Sequence, residues 1–222
     1  MQARGAMTRR RTALLISGRG SNMAALIAAA AAPAYPAEIA LVLSNRADAG
    51  GLDLATAAGI PTATVESRRF PGDRAGFEAA MQSELVRHGI DLVALAGFLR
   101  ILTPGFVAAW QGRMVNVHPS LLPAFPGLDT HARALAAGVR LHGCTVHLVT
   151  PGVDEGPILA QAAVPVLAGD TEASLAARVL AQEHRISPAA LAWLARGDSH
   201  PPEAEGALAN PLPGDAWLPK TR

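Results

Sequence analysis

Short aliphatic runs that alternate with helix-length segments constrain this chain more than any other feature. Thr12–Ile16, Ile39–Leu43, Pro61–Val65, Asp91–Leu95 and Arg113–Asn116 read as strands. Between them, Asn22–Ala32, Gly51–Ala58, Asp73–His88 and a short segment opened by Pro104 read as helices. Proline suits a first helical turn because its missing N–H would have no partner there. Such alternation makes a parallel sheet with helices on both faces. The second half departs from it. After a helix at Thr130–Ala137, Cys144–Val149 and Ile158–Val164 are strands joined by a loop, fit for an antiparallel edge. Thr171 then caps a helix running to about Gln182 or beyond. The expected class is α/β, with a Rossmann-like, mostly parallel sheet and an antiparallel C-terminal edge.

One domain over residues 1–222 is expected, with a basic tail at about 1–11 and a peripheral proline- and glycine-rich tail at about 198–222. With 50% hydrophobic residues, the chain can bury a substantial core. Its net charge of +1 argues against a nucleic-acid or membrane surface footprint. A single cysteine, Cys144, permits neither an internal disulfide nor a thiolate metal cluster, so a reducing, cytoplasmic setting is expected. Arg9-Arg10-Arg11 resembles the start of an export signal. The apolar run behind it is only about five residues, against roughly 7–15 in such signals. It reads as a first strand behind a basic tail, with Met7 a possible start.

Ligands of open α/β sheets bind at the carboxyl ends of strands, so the residues there matter most. Asn116-Val-His-Pro-Ser-Leu-Leu-Pro123 ends one of them. Strand alternation points Asn116 and His118 the same way, and the two prolines stop the ladder. A carboxamide beside an imidazole suits acyl transfer: the ring moves a proton and both groups can donate to an oxyanion. The same pair could merely cap a strand. In Thr150-Pro-Gly-Val-Asp-Glu-Gly156, Asp154 would stabilise an imidazolium at His118 if the two meet, or be a solvated turn residue.

Ser17-Gly18-Arg19-Gly20-Ser21-Asn22 lies between the first strand and first helix. Its spacing is neither the dinucleotide nor the nucleoside-triphosphate fingerprint. A site for a small phosphate remains, with Ser21 and Asn22 as side-chain donors; so does a plain tight turn. His131, His142 and His147 show no metal-ligand spacing, and His147 reads as an interior residue. His184 beside Glu183 could be a helix-surface pair, and Arg74 and Arg100 could be surface charges. No metal is expected.

Five ordered stretches resemble the phosphoribosylglycinamide formyltransferase family. They are Ile16-Ser-Gly-Arg-Gly-Ser-Asn22, Leu95-Ala-Gly-Phe-Leu-Arg-Ile-Leu102, Asn116 to Pro123, Val153-Asp-Glu-Gly-Pro157 and Gln182-Glu-His184. The resemblance covers about Thr12 to Gly197 and implies a folate-dependent enzyme of purine biosynthesis, working as a monomer or homodimer without nucleic acid or membrane. It implies Asn116, His118 and Asp154 as the catalytic group. It also implies that Gly20, Ser21, Asn22 and Glu183 bind glycinamide ribonucleotide. Arg74, Leu99, Arg100, Ile101, Leu102, Asn116, Thr150, Pro151, Gly152, Val153 and Asp154 would bind 10-formyltetrahydrofolate, a co-substrate. Arg19, Asp129 and Glu155 depart from residues familiar in that family. The catalytic domain of methionyl-tRNA formyltransferase resembles this chain around the same run and is the nearest rival; a formyltetrahydrofolate deformylase is a further one. The former carries an extra C-terminal domain and the latter an N-terminal one. A binding protein without turnover is the reading from another class.

Overall fold

The computed structural model describes residues 8–197. The proposed C-terminal tail and the first seven residues lie outside that span. Within it, β1 (Arg10–Ile16), β2 (Ala37–Ser44), β3 (Thr62–Thr64), β4 (Leu92–Leu95), β5 (Met114–His118), β6 (Leu141–Leu148) and β7 (Ile158–Pro165) form one sheet. Its order is β3-β2-β1-β4-β5-β6-β7. β1 to β5 run parallel, and β6 and β7 are antiparallel to their neighbours. The expected class therefore holds, antiparallel edge included. The order reverses between β1 and β4, which opens a crevice at their carboxyl ends.

Six α-helices cover the sheet: α1 (Ser21–Ala30), α2 (Gly51–Ala57), α3 (Arg74–Arg87), α4 (Pro104–Ala109), α5 (Thr130–Ala136) and α6 (Glu172–Arg196). Alternation along β1 divides the core. Leu14 and Ile16 pack with Met23 and Leu26 of α1 and with Leu175, Val179 and Ile186 of α6. Ala13 and Leu15 pack on the opposite face with Phe77, Met81 and Leu85 of α3 and with Phe106 of α4. Removing such side chains from water, at about 25 cal/mol per Å² of apolar area, is the main force joining the layers.

Some boundaries differ from the sequence reading. Arg10 and Arg11 belong to β1, not to a tail, because they pair with Ala37 and Glu38 in the ladder. Their charges remain at the rim, where Arg11 meets Glu38 at 2.7 Å and Arg10 meets Asp91 at 3.7 Å. β5 continues to His118, so His118 lies within the strand with Asn116 and not past its end. α6 starts at a reciprocal Thr171–Ser174 cap and continues through Pro188 to a left-handed Gly197. Proline interrupts one backbone bond there, and apolar packing along the helix outlasts that loss.

Candidate active site

Asn116 and His118 lie two residues apart on β5, on the same side as Met114 and thus on the α3/α4 face. Antiparallel pairing sets His147 of β6 directly opposite Asn116. The β6–β7 loop folds back over this face and brings Asp154 to both histidines. Asp154 Oδ2 is 3.3 Å from His118 Nδ1, and Oδ1 is 3.7 Å from His147 Nε2. Asp154 itself adopts a left-handed backbone, φ 57°, which side-chain-bearing residues disfavour. Gly156 permits the fold-back: a Cβ there would stand 1.7 Å from the Leu148 carbonyl oxygen.

Hydrogen bonds set the roles of the rings. His118 Nε2 is 3.0 Å from the Phe125 carbonyl oxygen, which can only accept, so Nε2 carries a proton and Nδ1 faces Asp154. His147 Nδ1 donates to the Leu148 carbonyl oxygen at 2.9 Å. In the neutral ring, Nε2 then accepts from Asn116 Nδ2 at 3.3 Å; when protonated, it donates to Asp154. Asn116 is thereby oriented, with a second amide N–H left for a ligand. Burial alone raises the Asp154 carboxyl, but hydrogen bonds from His147 and the Gly127 N–H, with the charges of both histidines, bring it below the ordinary carboxylate value.

His147 is the residue that sequence reasoning set aside as an interior histidine. It is interior, at 3% exposed, yet it belongs to this cluster. Its alternation with Thr145 was visible, but its position opposite Asn116 depends on the register of β6. His131 and His142 meet at 3.2 Å, and burial, then the charge of His131, pushes His142 down to about 4. No group of three or more His, Cys, Asp or Glu side chains is placed so as to hold a metal ion among the described residues.

The glycine loop does become the start of α1, with Gly20 at φ 76° and its Cα against Gly51. Asn22 does not project as a free donor. Its Nδ2 donates to Glu183 Oε2 at 2.6 Å across 161 residues, and its buried Oδ1 has no partner. Glu183 is buried beside it, not on a helix surface with His184. Burial raises its carboxyl above the usual range although the Asn22 bond opposes that.

The other named segments also converge. Arg74 Nη2 donates to the Ile101 carbonyl at 3.1 Å, and the Arg100 guanidinium carbon is 5.9 Å from the centre of the Phe77 ring. The Leu99 N–H donates to Ser17 Oγ, tying the β4–α4 segment to the glycine loop. Leu102 and Val149, which precedes Thr150-Pro151-Gly152-Val153, pack on the same core. Leu99, Ile101 and Val153 expose apolar side chains at this lip. A separate cavity of about 380 Å³ at the ends of β2 and β3, lined by Asn45, Arg46 and Arg68 among others, touches none of these residues.

A doubly wound sheet whose crevice holds a His–Asp pair and an oriented carboxamide has the chemistry of an acyl-transfer enzyme. Comparison with known proteins narrows the class. The signature of the formyl transferase family matches residues 10–191. The chain is 46% identical over 184 residues to phosphoribosylglycinamide formyltransferase of Escherichia coli, covering 83% of this chain and 86% of that protein. It is 49% identical over 187 residues, 84% of this chain, to the human trifunctional purine biosynthetic protein adenosine-3, and spans 18% of that longer protein. The solved structure of phosphoribosylglycinamide formyltransferase from Brucella melitensis superposes with a TM-score of 0.81 at 55% identity, over 85% of this chain and 96% of that one. The chain belongs to the formyl transferase family.

Proposed function

We propose that this protein moves the formyl group of 10-formyltetrahydrofolate to the amine of 5'-phosphoribosylglycinamide, giving formylglycinamide ribonucleotide and tetrahydrofolate in purine biosynthesis in the cytoplasm. The observation that carries the reading is the Asn116–His118–His147–Asp154 cluster, set between a phosphate-type loop and an apolar lip. The relatives that share this fold at high identity bear that activity in their names.

In this reading Gly20, Ser21 and the positive end of α1 hold the phosphate, and the buried Asn22–Glu183 pair meets the polar body of the same substrate. Arg74, Arg100 and the 99–102 and 150–154 segments hold the folate. No helix among the described residues is long and apolar enough to cross a membrane. Both ligands are small molecules; no metal takes part.

The amine nitrogen adds to the formyl carbon, and the carbonyl electrons become an oxyanion. The free N–H of Asn116 faces that charge, and the positive charge of the His118 imidazolium, whose Nδ1 faces Asp154, offsets it. Asp154 stabilises the imidazolium and relays the proton lost by the amine. The carbon–N10 bond then breaks, N10 takes up a proton, and tetrahydrofolate leaves. One well-placed oxyanion donor contributes about 2.7–4 kcal/mol, and general acid–base help contributes roughly 10²–10⁴ in rate.

The test is folate-product absorbance with 10-formyltetrahydrofolate and one of three acceptors: glycinamide ribonucleotide, formyl-acceptor tRNA or water. Turnover that requires glycinamide ribonucleotide supports the proposal. Turnover with tRNA or water instead overturns the substrate while keeping the formyl chemistry. No turnover from folded protein favours a binding role.

A further inference from the structure

Arg133 has no place in the chemistry above, yet it grips the loop that orients it. From α5 its Nη1 donates to the carbonyls of Pro126 and Leu128, the second at 3.3 Å. Its guanidinium carbon lies 5.7 Å from the centre of the Phe125 ring. The same ring meets His142 edge-on at 5.9 Å, so Phe125 is held from α5 and from β6.

The segment needs such a hold. Phe125 and Asp129 have φ values of 53° and 55°, a region that residues with side chains populate only when their surroundings impose it. The segment also makes two contacts that matter for the site. The Phe125 carbonyl accepts the hydrogen bond of His118 Nε2, and the Gly127 N–H donates to Asp154 Oδ2 at 2.8 Å.

We propose that Arg133 is a positioning residue: by clamping residues 125–129 it fixes which nitrogen of His118 faces the reaction and keeps Asp154 aimed at it. The proposal rests on the catalytic reading of His118 and Asp154. Arginine suits the task because its planar guanidinium can lie against an aromatic ring while one nitrogen, Nη1, donates to two carbonyls. Lysine has the charge without the plane that lies on the ring. Without the clamp the Phe125 carbonyl can drift, and His118 loses the acceptor that sets its tautomer.

The experiment compares wild type, Arg133→Ala and Arg133→Lys. It measures kcat and both KM values across pH, melting temperature, and exchange of the Gly127 amide hydrogen by NMR. An ångström of misplacement at a reacting group costs up to about 10²-fold, so kcat of Arg133→Ala should fall on the order of tenfold to a hundredfold with both KM values preserved. Its acid limb should move to higher pH, because the Gly127 N–H no longer holds the Asp154 carboxyl down beside His118 and His147. Arg133→Lys should recover part of the rate, and Gly127 should exchange faster in Arg133→Ala.

Wild-type kcat and an unmoved acid limb in Arg133→Ala would overturn the proposal. So would a loss of kcat matched by lowered melting with the limb in place, which marks a plain structural role. An inactive wild type would count against the formyl-transfer reading alone. Unchanged Gly127 exchange would still overturn the clamp.

Discussion

Replacing Asp154 with asparagine keeps the shape of the side chain and removes its charge, which isolates what that charge contributes. In the structure the carboxylate is 3.3 Å from His118 Nδ1 and accepts from the Gly127 N–H at 2.8 Å. Opposite unit charges at that distance attract by roughly 5 kcal/mol at an effective dielectric of 20. Lost hydration offsets part of this, and a hydrogen bond to a charged group nets about 1.5–3 kcal/mol. Where that stabilisation is present only with His118 protonated, as in the tetrahedral state, its loss slows turnover roughly 13- to 160-fold. The assay is kcat at saturating glycinamide ribonucleotide and formyl folate, with circular dichroism to confirm folding. Because the Asp154 carboxyl is held below its unfolded value, its contribution to stability is present above that value, about 3.9, and fades as pH falls through the lower folded one. Wild type should therefore lose stability in acid through this group, and Asp154→Asn should not. A folded Asp154→Asn variant with near-native kcat would refute the reasoning.

Three more outcomes follow from particular contacts. His147→Phe keeps the bulk but removes the nitrogen that accepts from Asn116, so kcat should fall about tenfold through misalignment while KM holds, read in the same assay. Gly156→Ala would drive a methyl group into the Leu148 carbonyl oxygen, a backbone atom with little room to yield. It should lower stability by about 1–3 kcal/mol in a urea melt and reduce kcat by shifting the Asp154 loop. Thr171→Ala removes the cap on Ser174 N and should cost about 1 kcal/mol of stability without changing kcat.

The sheet was legible because the parallel strands other than β3, which is Thr62-Ala-Thr64, are short runs rich in small aliphatic residues flanked by helical segments, a periodicity that local sequence displays. Asn116 and His118 were legible for the same reason, since alternation alone places them together. What escaped was set by distant pairing. His147 joins the site through a register between β5 and β6 that no local pattern encodes. Asn22 reads as an outward donor until α6 brings Glu183 against it. Arg10 and Arg11 read as a solvated tail because their charges mask backbone groups that the sheet pairs. Arg133 gave no signal at all; its contacts are to carbonyls, and carbonyls look alike in every sequence.

The bond between Asn22 and Glu183 also bears on how the protein is made. The ribosome releases the glycine loop well before α6, so the acceptor half of the proposed site lacks its carboxylate until α6 has emerged. The sheet from β1 to β5 can collapse early, but Asn22 then faces an unfilled slot where Glu183 belongs. On the proposed reading, the acceptor site is therefore completed only when α6 docks on α1.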